Sequence, residues 1–205
     1  MHKEILSKNQ LELLPDLNYF SKEFVLVGGT AIALYLGHRE SIVFDLFTIN
    51  RIKRISIKKY FSVKGYEDYK LLKEEDDQLH FIVNGVKITF FQFPFILKEL
   101  NDFETIIRIP SLLTLAAMKA FALGGRGKWK DYVDLYFILK DHFRLKEIIK
   151  KAEEIFGTSF NDKLFREQLA YFDDIDYEEE VIFRTQPVED KEIKDFLIDI
   201  ALEKF

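Results

Sequence analysis

The sequence predicts an α+β protein, with a mixed β-sheet flanked by helices first and a helical C-terminal lobe after it. Three observations carry that expectation. Short apolar runs, several alternating with period two and bounded by Gly, Pro or Asn-Gly, cluster before residue 110. From Pro110-Ser111 onward the apolar positions repeat at helical spacing instead. With 205 residues, 48% apolar and 32% charged, the chain has enough apolar surface for a substantial core, which argues against disorder.

Residues 3–20 place Ile5, Leu11, Leu13, Leu14, Leu17 and Phe20 at helical spacing. A strand at 24–28, a helix at 30–36 and a strand at 42–48 follow, then a helix near 52–61. Residues 68–74 and 78–83 read as strands of a meander. Asn84-Gly85 is a hairpin signal, because both central positions of the favoured two-residue turn need positive φ. The returning strand, 86–93, ends at Pro94, which has no N–H for the ladder. A short helix at 95–101 and an extended piece at 105–109 lead to a seam dividing the chain into 1–108 and 109–205. Beyond it, 111–123, 128–141, 145–156 and 161–172 read as helices, and the last runs over 189–204. The 21 Phe are read as core packing.

The absence of cysteine excludes disulfides, zinc–thiolate sites and cysteine nucleophiles. No run of 18 apolar residues exists and Met-His-Lys-Glu-Ile lacks a signal-peptide core, so the expected compartment is the cytoplasm, with no membrane partner. A net charge of −5 does not draw nucleic acid to the molecule as a whole. The charge is uneven, however. Arg51, Lys53, Arg54, Lys58, Lys59 and Lys64 form a basic stretch that reads either as a solvated helix face or as a polynucleotide groove. Asp173, Asp174, Asp176, Glu178, Glu179 and Glu180 form an acidic block.

Chemistry concentrates in two places. In 26–47, Gly28 and Gly29 follow an apolar strand and Thr30 is placed to cap the next helix. A glycine pair there lets backbone approach a bulky anion, and the amides at the helix start face it. Eight residues past Gly37 comes Asp45, on the following strand. The second cluster begins with helix 111–123, apolar nearly all round, whose single charge is Lys119. An ammonium there either snorkels to the surface or meets an anion. Gly124, Gly125 and Gly127 then make a turn presenting Arg126 and Lys128, and Asp131 and Asp134 share one face of the next helix. Asp131 also suits a helix N-terminus by its charge alone.

The order of strand, glycine pair, helix and carboxylate-bearing strand resembles the nucleotidyltransferase fold. Over most of its length the chain further resembles the AbiEii/AbiGii toxin family of nucleotidyltransferase-like proteins. The resemblance rests on Leu-Val-Gly-Gly-Thr-Ala (26–31), His-Arg-Glu-Ser-Ile-Val-Phe-Asp-Leu-Phe (38–47) and Gly-Val-Lys-Ile-Thr-Phe-Phe (85–91). It rests equally on Ala-Ala-Met-Lys-Ala (116–120), Arg-Gly-Lys-Trp-Lys-Asp-Tyr-Val-Asp-Leu-Tyr (126–136) and Leu-Ala-Tyr-Phe-Asp-Asp (169–174). It implies transfer of a nucleotide from an NTP to an acceptor hydroxyl, in several members an RNA end, by a toxin that acts beside an antitoxin.

On this resemblance Gly28, Gly29, Thr30, Ser41, Arg126 and Lys128 hold phosphates, and Arg39 and Lys119 neutralise them. Asp45 ligates one Mg2+, and Asp131 or Asp134 orients or deprotonates the acceptor; both are expected to face the cleft toward Gly29 and Asp45. Two departures qualify the picture. The family strand carries Asp-x-Asp where this chain has Val43-Phe44-Asp45, and a third carboxylate would fall near Thr89. Two-ion transfer wants bridging carboxylates, so Mg2+ is expected to bind weakly or only with nucleotide. The alternative is a nucleotide-binding or partner-binding module of the same fold that has lost its chemistry, or an RNA-binding module using the basic stretch.

Overall fold

The computed structural model describes residues 1–66, 69–125 and 127–204. These form one seven-stranded mixed sheet and eight α-helices. The strands are β1 (Val25–Val27), β2 (Val43–Thr48), β3 (Tyr69–Glu74), β4 (Gln78–Val83), β5 (Val86–Gln92), β6 (Leu100–Phe103) and β7 (Ile107–Pro110). The helices are α1 (Lys8–Leu13), α2 (Gly28–Leu36), α3 (Arg54–Lys64), α4 (Leu112–Leu123), α5 (Trp129–Asp141), α6 (Leu145–Phe156), α7 (Asp162–Leu169) and α8 (Asp190–Ala201). The strand order is β3-β4-β5-β2-β1-β7-β6, with β2 parallel to β5 and antiparallel to β1. The α+β expectation holds.

The hairpin forms where Asn84-Gly85 predicts it, with φ of 50° and 71° at the two turn residues. Two local expectations fail for identifiable reasons. Residues 3–20 are not one helix but a 3-10 turn, α1 and a second 3-10 segment, Leu14–Phe20. Ser7 and Gln10 form a capping box that starts α1 afresh, and Pro15 withholds the N–H needed to continue it. The helix at 95–101 does not form. Glu99 adopts φ 57°, and Leu100–Phe103 pair with β7 through a tight turn with Glu104 and Thr105 at positive φ.

The seam expected at 108/109 falls inside β7, which pairs with β1 at Val25↔Arg108. Helix α2 packs against β1 and β2 and also against α4 and α5. One main core therefore draws on both halves, from Leu26, Phe44 and Phe90 to Leu135, Ile148 and Leu197. Several of the basic-stretch side chains pair with the chain's own carboxylates: Lys53 with Glu23, Lys58 with Glu74 at 2.9 Å and Lys64 with Asp16 at 2.7 Å. Those partners favour a solvated helix face over a groove. Among the described residues no helix is long and apolar enough to cross a membrane.

Candidate active site

At the end of β1 the chain turns sharply into α2, and glycine is required at both positions of that turn. Gly28 has φ 73°, and a Cβ on it would stand 2.3 Å from Asp45 Oδ2. A Cβ on Gly29 would stand 2.5 Å from Arg39 Nη2. The two glycines thus seat the first turn of α2 directly against an acidic and a basic side chain. Thr30 is not the helix cap. The helix begins at Gly28 with Val27 at its N-cap, which puts Thr30 two residues inside. Its buried hydroxyl donates to the Val43 carbonyl and lies 2.8 Å from Ser41 Oγ, which stitches α2 to β2.

Strand pleating aims Val43, Asp45 and Phe47 at one face of the sheet. Register then defines what stands beside each. Asp45 pairs with Thr89, and Thr89 with His80, making a row across β2, β5 and β4. Val43 pairs with Lys87, and Phe47 with Phe91. All of these line one cleft of about 490 Å3 together with Gly28, Gly29, Arg39, Ser41 and Gln78. Its opposite wall comes from α4 and α5 and includes Met118, Lys119, Lys128, Lys130 and Asp131, with Glu179 from the acidic block. One end of the cleft is charged, and the other, around Phe47, Phe91 and Phe93, is aromatic.

Behind the charged end lies a buried ion cluster. Lys119 Nζ is 2.6 Å from Asp131 Oδ1 and 3.0 Å from Asp134 Oδ2. Arg39 donates twice to Asp134, from Nε at 2.7 Å and Nη2 at 2.9 Å, and from Nη1 to the Glu40 carbonyl at 2.8 Å. His38 Nε2 completes the set at 2.8 Å from Asp134 Oδ1. Two cations and two anions cancel, which is what allows so much charge to be buried. Burial by itself would raise the Asp134 carboxyl, but Arg39, Lys119 and His38 hold it well below the usual carboxylate range. Burial depresses the His38 imidazole despite Asp134. Lys119 and Arg39 stay protonated, since their carboxylates outweigh the desolvation.

The expectation that both aspartates face the cleft therefore divides. Asp131 lines it, whereas Asp134, with no exposed surface, sits behind Lys119 and Arg39. Arg39, 1% exposed, is committed chiefly to Asp134 rather than held ready for a ligand. Arg126 lies outside the described residues. Lys128 Nζ is 2.8 Å from Glu179 Oε1, and Lys130 Nζ is 3.3 Å from Glu179 Oε2.

The residues around Asp45 do not fit a resident two-ion centre. Its neighbours along and across the sheet, Val43 and Thr89, are no substitutes for carboxylates, and among the described residues no three His, Cys, Asp or Glu are grouped to hold an ion. His80, Gln78, Lys87, Lys130 and Glu179 all line the cleft, and sequence reasoning did not single them out for it. Strand parity from the Asn84-Gly85 hairpin would have put His80 beside Thr89. No spacing in the sequence links Glu179 to Lys128, 51 residues away.

A family model described as nucleotidyl transferase AbiEii toxin, of type IV toxin–antitoxin systems, matches residues 86–204. The chain belongs to the AbiEii nucleotidyl transferase toxin family. An uncharacterized protein of Aquifex aeolicus (strain VF5) is 31% identical over 176 residues, covering 82% of this chain and 84% of its own. Among solved structures, the nucleotidyltransferase toxin MenT4 of Mycobacterium tuberculosis aligns with TM-score 0.61 at 12% identity, covering 95% of this chain and 82% of that one. JHP933 of Helicobacter pylori aligns with TM-score 0.56 at 19% identity, over 96% and 91%. At these identities the structural neighbours show the fold. AbiEii membership and a nucleotidyltransferase fold are thus in place, with the glycine turn and Asp45 in the N-terminal part outside the matched span.

Proposed function

We propose that this AbiEii-family protein transfers a nucleotide from an NTP to an acceptor hydroxyl on RNA, in the cleft between the sheet and helices α4 and α5. The observation that carries the reading is the seat itself: a two-glycine turn at a helix start, pressed against Asp45 and facing Lys119 and Lys128 across one cleft. Helix-start amides and the two lysines hold the triphosphate, and Ser41 borders the same turn. Gly28 and Gly29 supply close backbone approach, and Thr30 braces the turn from behind. Lys119 remains cationic for the phosphates because Asp131 and Asp134 flank it. Arg39 acts through Asp134, fixing the carboxylate that fixes Lys119; both are positioning residues. Asp131, the aspartate at the cleft wall, orients the acceptor hydroxyl. Asp45 is the carboxylate that would hold a single Mg2+ brought by the triphosphate, and such an ion would add charge stabilisation to the transfer. The aromatic end of the cleft offers ring faces to a base. A cognate antitoxin is the partner that the family suggests.

A second reading is favoured by Val43, two residues before Asp45 on β2, and Thr89, its partner on β5, neither of them a carboxylate. On it the protein binds a nucleotide or a partner without turning substrate over. Incubating the protein with each of the four α-labelled NTPs, Mg2+ and pooled RNA separates the two. Label carried into RNA by at least one NTP is expected. Nucleotide binding with no incorporation from any NTP, and none with Mn2+, would transfer the conclusion to the second reading.

A further inference from the structure

The acidic block, with the residues that follow it, forms a strap pinned at two places beside the cleft, which Glu179 lines. On one side the Asp176 N–H donates to the Gly127 carbonyl at 2.7 Å and the Trp129 N–H to the Asp176 carbonyl at 3.0 Å. On the other, the Glu40 N–H donates to the Ile182 carbonyl at 2.9 Å and the Arg184 N–H to the His38 carbonyl at 2.8 Å. Arg184 also pairs with Glu40 at 2.9 Å. Glu179 stands between the pins, with one carboxylate oxygen on Lys128 and the other on Lys130, at 2.8 and 3.3 Å.

Two ammonium groups converging on a pair of carboxylate oxygens, beside a turn suited to phosphates, form an anion subsite already filled from within the chain. We propose that Glu179 is a tethered competitor for the terminal phosphates of an NTP: it occupies the Lys128–Lys130 subsite in the resting cleft and yields it when nucleotide enters. This inference rests on the nucleotide reading above and adds its regulation.

Three features make the exchange feasible. The Glu179 side chain is 48% exposed and that of Lys128 36%, with Lys130 at 17%, so solvent and an incoming anion can reach the paired groups. The pins are main-chain bonds on either side, so Glu179 can rotate away while the strap stays attached. The tether keeps its carboxylate at high local concentration, so it reoccupies the lysines as pyrophosphate departs. Lys128, and Lys130 with it, hold the Glu179 carboxyl down to about 2, so the competitor stays charged at any ordinary pH.

The test is calorimetric titration of pyrophosphate and of a non-hydrolysable NTP analogue into wild type, Glu179→Gln and Glu178→Gln at one ionic strength. Glu178→Gln removes the same charge from the same strap without touching the lysines. Glu179→Gln is expected to tighten both ligands by about three- to tenfold, the gain of removing a partly exposed competing carboxylate, and Glu178→Gln by less than about twofold. Equal or weaker binding by Glu179→Gln, or an equal gain in Glu178→Gln, would overturn the proposal. If neither ligand binds any of the three proteins, the nucleotide reading beneath it fails as well.

Discussion

Asp134 shows how much a single buried carboxylate organises. It accepts from Arg39 and His38 and pairs with Lys119, all three of them nearly inaccessible to solvent. Replacing it with Asn would leave an arginine and a lysine buried with half their counter-charge, so Asp134→Asn is expected to lower stability by about 3–5 kcal/mol in urea unfolding at neutral pH. The pH dependence follows from the direction of its shift. Its folded-state value lies below the unfolded value, so the unfolded chain takes up the proton first as pH falls. The contribution is full above about pH 4 and is lost on further acidification, and the variant should lack that part of the acid-unfolding slope. That Lys119 would need an anion was legible, since it is the one charge on an apolar helix. Which anions surround it was not, because His38 and Arg39 are about 95 residues from Asp134 and only the fold joins them.

At the scale of elements, β2 and β5 pair side by side and both line the cleft, and their register makes Val43 testable. Its partner Lys87 lines the same cleft. Val43→Asp would set a second carboxylate roughly 6–7 Å from Asp45 along the strand, with Lys87 beside it to offset the repulsion. The variant is expected to bind Mn2+ at least tenfold more tightly than wild type by calorimetry without nucleotide. Tight binding of two ions by wild type would show that Val43 marks no deficit. Strands and hairpin were readable here because alternation and Asn-Gly are local signals. Segment 95–101 was not, since its ladder partner β7 decides it. The Thr30 cap failed for a related reason: Gly28 can take the positive φ that starts α2 two residues early.

Over the whole molecule, the cleft exists because one sheet and one core span both halves of the chain. The glycine turn, Asp45, Lys119, Lys128 and Asp131 were each visible in the sequence as chemistry in search of a partner. Their convergence follows from α2 packing on both β2 and α5, and from the AbiEii resemblance, not from any spacing. The attachment of the acidic block could not be read, because its pins are main-chain hydrogen bonds and its ion pairs join residues far apart in the chain. The most direct test of the account is a crystal structure with Mg2+ and a non-hydrolysable NTP analogue. The triphosphate is expected against the amides of Gly28 and Gly29, within ion-pair distance of Lys119 and Lys128, with Asp45 facing the bound Mg2+. A nucleotide seated away from that turn, or an unfilled cleft at saturating analogue, would contradict it.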